Sequence, residues 1–376
     1  MKLQSRWVWA VALAAVSAVS SAQAQSSQAG TLPAATVQQG DAYQAQNSKN
    51  QRIRMLPSQP ALHSVPASVL YRTTVQQPPA PNAASFSQGT VSNQSTLSNQ
   101  STVFRGVTVP AIAFSPLDLS FQGGWNGIGS LQTASNFLVF LNYNNCPSCW
   151  STDEINLIGD PVSLLSQYIS NLNNSVDVHV TDQYVGSTTN LRYPLGSPSW
   201  SVSSGVGSTM TDADAQAAVH AVALANGNKA GPHNIYHLFL PPGQNVCFDG
   251  SYTQCYSPNN WATFYFCGYH SSVTFGDVGT VFYSVEPYDY VDGCRGTTQN
   301  GTPQDALSAQ VSVLGHEIFE TITDPYPGYG WVALKENGEE IGDLCAWTLF
   351  NHLVGSRTYV TQLEYSNASH ACKNQK

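Results

Sequence analysis

The chain has 376 residues, room for one large domain or two ordinary ones, and a formal net charge of −9 with only 10% charged residues. So acidic a composition, with no basic cluster, argues against nucleic acid and anionic membrane surfaces as partners. The eight cysteines are even in number and predict two or more disulfides and an oxidising compartment, with the pairing left open.

Lys2 and Arg6 precede an apolar run, Trp7 to Val19, which is followed by Ala22-Gln23-Ala24. This is the pattern of a cleaved secretory signal over residues 1–24. The run is too short and too rich in Ala and Ser for a good membrane span, and no later segment is apolar enough to cross a bilayer. The expected location is secreted and extracellular, with the periplasm as an alternative. Residues 25–103 are dominated by Gln, Ser, Ala, Asn, Thr and Pro, and Ser92-Asn-Gln-Ser-Thr-Leu97 recurs almost unchanged as Ser98-Asn-Gln-Ser-Thr-Val103. Such a stretch buries too little apolar surface to offset its ordering entropy, so a disordered arm, a linker more than a propeptide, is expected.

The folded domain is expected over residues 104–376. Asn136-Phe-Leu-Val-Phe-Leu141 is continuously apolar and predicts a buried strand. Asp160-Pro161 predicts an N-cap with Pro at the first helical position, opening a helix to about Leu172 with Val162, Leu165 and Ile169 inward. Val176-Asp-Val-His-Val180 alternates like a half-buried strand with His179 toward solvent. Thr211 caps an alanine-rich helix that ends at Asn226-Gly227 and carries a structural His220. Ile235–Leu240 and Thr280–Val285 predict two further strands.

Between those two strands, Cys247 to His270 suggests a disulfide-pinned loop, with a Cys/His zinc knuckle as the weaker alternative. Cys146-Pro-Ser-Cys149 has redox-motif spacing, but no clear helix follows it, which favours a structural disulfide. Alternating strands and helices predict an α/β domain with one mixed sheet, stabilised by disulfides.

The chemistry concentrates in Gly315-His316-Glu317-Ile-Phe-Glu320-Thr-Ile-Thr-Asp324-Pro325. Thr302-Pro303-Gln304-Asp305 predicts the helix start, with Thr302 as cap, and Pro325 its end. Leu307, Val311, Leu314, Ile318 and Ile322 form one apolar stripe, and His316 and Glu320 project to the opposite side. The bland alternative is a solvated polar face. Yet six of the eight glutamates fall between Glu317 and Glu364. A spacing of four sets two ligands one turn apart, as a metallopeptidase helix does, with the glutamate after the first as base.

The expected metal ligands are therefore His316 and Glu320, completed by Asp343 or Glu340 from the return segment. Glu317 is the expected general base and Asp324 a spare ligand or supporting group. Zinc is the favoured cation, although a carboxylate-rich set also suits manganese, iron or calcium. Two carboxylates make the site less positive than a His-His-Glu set, so bound water would be acidified less. The fold implied is zincin-like, with an active-site helix.

Phe266-Cys-Gly-Tyr-His270, the helix end Thr321-Ile-Thr-Asp-Pro325, the Glu340…Cys345 segment, and the Ile235–Leu240 strand with its following cysteines are short motifs. Together they resemble the EXORDIUM-like, phosphate-induced protein family over about residues 104–372. The resemblance implies a secreted, cell-wall- or matrix-associated protein with no assigned catalytic activity. It further implies a microbial form, since plant members lack the pair that stands here as His316-Glu317. Two functions are in play: a secreted metal-dependent peptidase or other hydrolase, and a non-enzymatic protein that binds an extracellular partner or wall polymer, its Tyr- and Trp-rich surface stacking on the ligand. In the second, any metal is a staple. A serine hydrolase is disfavoured by the absence of a Gly-x-Ser-x-Gly elbow.

Overall fold

The computed structural model describes residues 44–46, 52–57, 103–104, 107–108, 117–150, 159–248, 250–334 and 338–374. The signal assigned to residues 1–24 and most of the arm, including residues 92–102, lie outside the described residues. The architecture is mixed α/β, with several sheets and four disulfides. Among the described residues no helix is long and apolar enough to cross a membrane.

The main sheet has seven strands: β1 (Gln44–Gln46), β2 (Arg52–Pro57), β3 (Ser135–Leu141), β4 (Trp200–Val202), β5 (Asn234–Phe239), β6 (Phe266–Phe275) and β7 (Gly279–Glu286). They run in the order β1-β2-β6-β7-β5-β3-β4. β4, β3, β5 and β7 are mutually parallel, β6 pairs antiparallel with β7, and β2 pairs antiparallel with β6. Helices α1 (Pro161–Leu172), α2 (Asp212–Ala225) and α3 (Ala306–Thr323) flank it. A hairpin of β8 (Leu349–Val354) and β9 (Arg357–Gln362) lies against α3.

The parallel strands are largely buried because both faces are covered, with Asn136, His237, Ser284 and Glu286 as buried polar exceptions. Val139, Tyr236, Leu238 and Tyr283 pack with Val219 and Val222 of α2, while Leu138, Phe140, Ile235 and Phe239 pack with Leu165 and Ile169 of α1 and Leu314 and Ile318 of α3. Caps fix two of the helices where expected. Asp160 accepts from the Ser163 N–H at 2.9 Å, and Thr211 and Asp214 form a reciprocal capping box. His220 is indeed structural: it pairs with Asp277 at 2.9 Å and stacks on Phe275.

Four expectations are corrected. Val176–Val180 is not a strand; Asp177–Thr181 is a 3-10 helix in which Val178 and Val180 are both buried. Local hydrogen bonds hold it, the Thr181 hydroxyl to Val178 O and the Asp177 N–H to the Ser175 hydroxyl. His179 contacts Asp182, which also accepts from Arg192. The cap of α3 is Asp305, which accepts from Ser308 N–H at 2.6 Å, so the helix begins at Ala306 and not beside Thr302. Pro303 and Gln304 instead belong to the preceding turn, where Gln304 N–H bonds Gly296 O.

The stretch from Cys247 to His270 is pinned by the Cys247–Cys255 bridge, but its last five residues open β6. All eight cysteines are paired, as Cys146–Cys149, Cys247–Cys255, Cys267–Cys294 and Cys345–Cys372, which leaves none for a Cys/His metal knuckle. Finally, strand pairing is not confined to residues after Phe104. Arg52–Pro57, inside the stretch taken as arm, is a strand of the main sheet. Its alternation of Arg52, Ile53, Arg54, Met55 and Leu56 is an apolar island that the surrounding composition dilutes.

Candidate metal centre

α3 is buried on every side, from Ala306 to Thr323, apart from a half-buried Gln310. Its polar side faces β9 and the segment Gly338–Cys345, not water. Ser308 and Ser312 hydroxyls accept from the backbone N–H groups of Val360 and Gln362 at 3.1 and 3.0 Å, tying the hairpin to the helix. Between these elements lie six ionisable side chains: His270 from β6, His316, Glu317 and Glu320 from α3, and Glu340 and Asp343 from the return segment. Five are fully buried and Asp343 is 4% exposed.

His316 Nε2 lies 3.0 Å from Glu320 Oε1 and 3.8 Å from Asp343 Oδ1. These three residues bring one ligand atom each to within 4.8 Å of one another. Glu340 stands on the other side, its Oε1 3.7 Å from His270 Nε2. The backbone helps to shape the set: Asp343 N–H bonds Glu320 Oε1 at 3.1 Å, and Glu340 N–H bonds Asp343 Oδ2 at 3.2 Å. Burial pushes the Glu320 carboxyl up, but the imidazoles of His316 and His270 outweigh it and hold the group at about 2, so it is a carboxylate.

Asp324 is not aimed at the cluster. Its carboxylate accepts from the N–H groups of Gly328, Tyr329 and Gly330 and closes the end of α3. Only its backbone carbonyl takes part, facing His270 Nε2 at 3.3 Å.

Two residues escaped the sequence. His270 sits 3.3 Å from Glu317 Oε2 and 3.4 Å from Glu320 Oε2 through its Nδ1. Its signal was a histidine in a strand otherwise continued by Tyr269, Ser271 and Val273, all buried. Gln362 has no sequence signal at all. Its Nε2 lies 2.9 Å from both His316 Nδ1 and Gly342 O, and its Oε1 accepts from Trp347 N–H. The bonds to Gly342 O and from Trp347 N–H fix the orientation of this amide and hold its nitrogen against His316 Nδ1. Two glycines make room. A Cβ on Gly342 would lie 2.9 Å from Glu320 Oε1 and on the His316 ring, and one on Gly268 would lie 2.9 Å from Glu317 Oε1.

No protein-family model, curated protein or solved structure matches this chain. The site therefore has to speak through its own chemistry. An imidazole with two carboxylates suits a divalent cation with an open position. His316 Nε2 is fully buried, lies next to two carboxylates and makes no hydrogen bond, which fits a ligand whose cation would supply the missing contact.

A polar row continues from the site across the sheet. Ser284 is the register partner of both His270 and His237, and His237 bonds Ser284 Oγ at 2.8 Å and Asn136 Oδ1 at 2.9 Å. Burial pushes His237 down to about 3 and Glu286 up to about 8, so their 3.9 Å approach is between neutral groups near neutral pH. A carboxyl raised in the fold makes the protein lose stability as pH rises from about 4.5 to 8. Glu286→Gln keeps the acceptor that Ser284 uses and removes that loss. Its melting temperature should exceed the wild type's at pH 8 by several degrees and match it near pH 5; a gap independent of pH would refute this assignment.

Proposed function

We propose that the chain is a secreted metal-dependent hydrolase of extracellular peptides, with a zincin-like arrangement around α3. The observation that carries this reading is the convergence of His316, Glu320 and Asp343 on one point, with His316 Nε2 left without a hydrogen bond. These three would hold the cation, zinc by preference and another divalent ion otherwise. When bound, such an ion polarises a carbonyl and acidifies water. Glu317, next in sequence to His316 and positioned by His270, would take up the proton released. Glu320 stays ionised throughout, because the two imidazoles hold it so. The residues that suggested an EXORDIUM-like protein of the microbial form lie at this site or flank it: His270 on β6, the end of α3, and Glu340 to Cys345.

One observation favours a second reading. With five site residues fully buried and the sixth 4% exposed, the cation could serve as a staple between α3, β6 and the return segment in a non-enzymatic wall- or matrix-binding protein. Metal analysis of the purified protein, with casein hydrolysis by wild type and Glu317→Gln, separates the two. The hydrolase reading expects bound metal, and hydrolysis reduced by about 10²–10⁴-fold in the variant while the cation on His316, Glu320 and Asp343 is retained. Metal without hydrolysis in the wild type supports the staple, and metal-free folded protein sinks both.

A further inference from the structure

The carboxylate of Glu320 faces two ways. Its Oε1 is 3.0 Å from His316 Nε2, and its Oε2 is 3.4 Å from His270 Nδ1. We propose that Glu320 bridges two divalent cations, one on His316, Glu320 and Asp343 and a second on His270, Glu317 and Glu320, with Glu340 beside it. This rests on the metal reading above and adds a second ion, with ligand roles for His270 and Glu317 in place of the positioning and base roles given them there.

The second set meets the same geometric test as the first. His270, Glu317 and Glu320 each bring one ligand atom to within 4.8 Å of the others, and all three are fully buried. Each half also keeps one fully buried atom that makes no hydrogen bond, His316 Nε2 in the first and Glu320 Oε2 in the second. A buried polar atom that makes no hydrogen bond is uncommon, and here one points into each set, held by ion-pair contact alone.

The tautomer of His270 agrees. Its Nε2 faces the carbonyl oxygen of Asp324 at 3.3 Å, which can only accept, so Nε2 carries a proton. Its Nδ1 faces the carboxylates of Glu317 and Glu320 at 3.3 and 3.4 Å, where a ligand atom of the second set has to stand. Carboxylate bridging holds paired ions about 3.5–4 Å apart, the spacing at which two metals act on one bound oxygen. The oxygen-rich donor set suits manganese, iron or zinc.

Manganese(II) is the probe. The full chain, saturated with it and freed of excess by gel filtration, should hold two ions per chain and show the exchange-coupled multiline spectrum of a manganese pair. His270→Gln and Asp343→Asn should each lower the count to one and replace that spectrum with the signal of an isolated ion; melting curves check that both variants fold. One ion per saturated wild-type chain, or an unchanged count of two in folded His270→Gln, overturns the proposal. Two coupled ions without casein hydrolysis would leave the bridged centre standing and remove the hydrolase reading. One ion with Glu317-dependent hydrolysis would do the reverse.

Discussion

Gly342→Ala should weaken the proposed cation site. The backbone at Gly342 has φ −80° and ψ −42°, which any residue adopts, so the requirement is for space. A Cβ there would stand 2.7 Å from His316 Cε1 and 2.9 Å from Glu320 Oε1. Neither neighbour can yield easily, since Gln362 contacts the ring and the Asp343 N–H bonds the carboxylate. One methyl group should thus lower stability by about 1–3 kcal/mol, as overpacking does. Cation affinity should fall by about 10–100-fold or more, because displaced supports disturb ligands that they orient. Titration calorimetry with zinc and a thermal melt measure the two effects. Gly205→Ala, where a Cβ meets nothing within 4 Å, is the control. Wild-type affinity in Gly342→Ala would show that the close approach at His316 does not matter.

Removing the Cys345–Cys372 bridge should be a large structural loss, matched in loop length by Cys267–Cys294. The two cysteines are 27 residues apart, and closing a loop of that size stabilises a fold by about 3.5 kcal/mol on chain-entropy grounds. Cys345 ends the short turn that begins at Asp343, and Cys372 lies in a strand paired with Glu364–Ser366. The double substitution Cys345→Ala and Cys372→Ala should therefore lower the urea midpoint and, on the proposed metal reading, loosen the cation, because Asp343, a proposed ligand, is two residues away. Removal of Cys146–Cys149, with a separation of three, should cost less and leave metal affinity alone. Equal effects on metal from both deletions would contradict the placement of the centre.

The core of the fold was legible where one kind of pattern dominated. Phe137–Leu141 is continuously apolar and Ile235–Leu240 is apolar but for His237, because helices cover both sheet faces, and Asp160 and Thr211 carry unambiguous cap chemistry. The α3 motif was legible because the spacing of His316 and Glu320 is a property of the helix itself. What covers that motif was not. The polar side of α3 reads as solvated until β8 and β9 fold over it, and the residue that reaches His316 from there is a lone glutamine. His270 was invisible as a site residue for a similar reason: its meeting with Glu317 and Glu320 depends on register between β6 and α3, which no local pattern encodes. Val176–Val180 misled because a two-residue alternation over five positions does not distinguish a strand from a 3-10 turn whose valines both point inward.

The strand that bears His270 is an interior strand only by courtesy of β2. Its partners run from Phe266 opposite Pro57 to His270 opposite Arg54, with an irregularity between Phe266 and Gly268. β2 in turn hands the outer position to β1, which has three residues. In this way the open row of N–H and C=O groups along Phe266–His270, the half of β6 that carries the proposed ligand, is covered. A chain severed anywhere between Pro57 and Leu117 would be free to lose that cover. The β6 backbone, next to the buried histidine and glutamates, would then become an adhesive margin for any extended polypeptide, a second copy included.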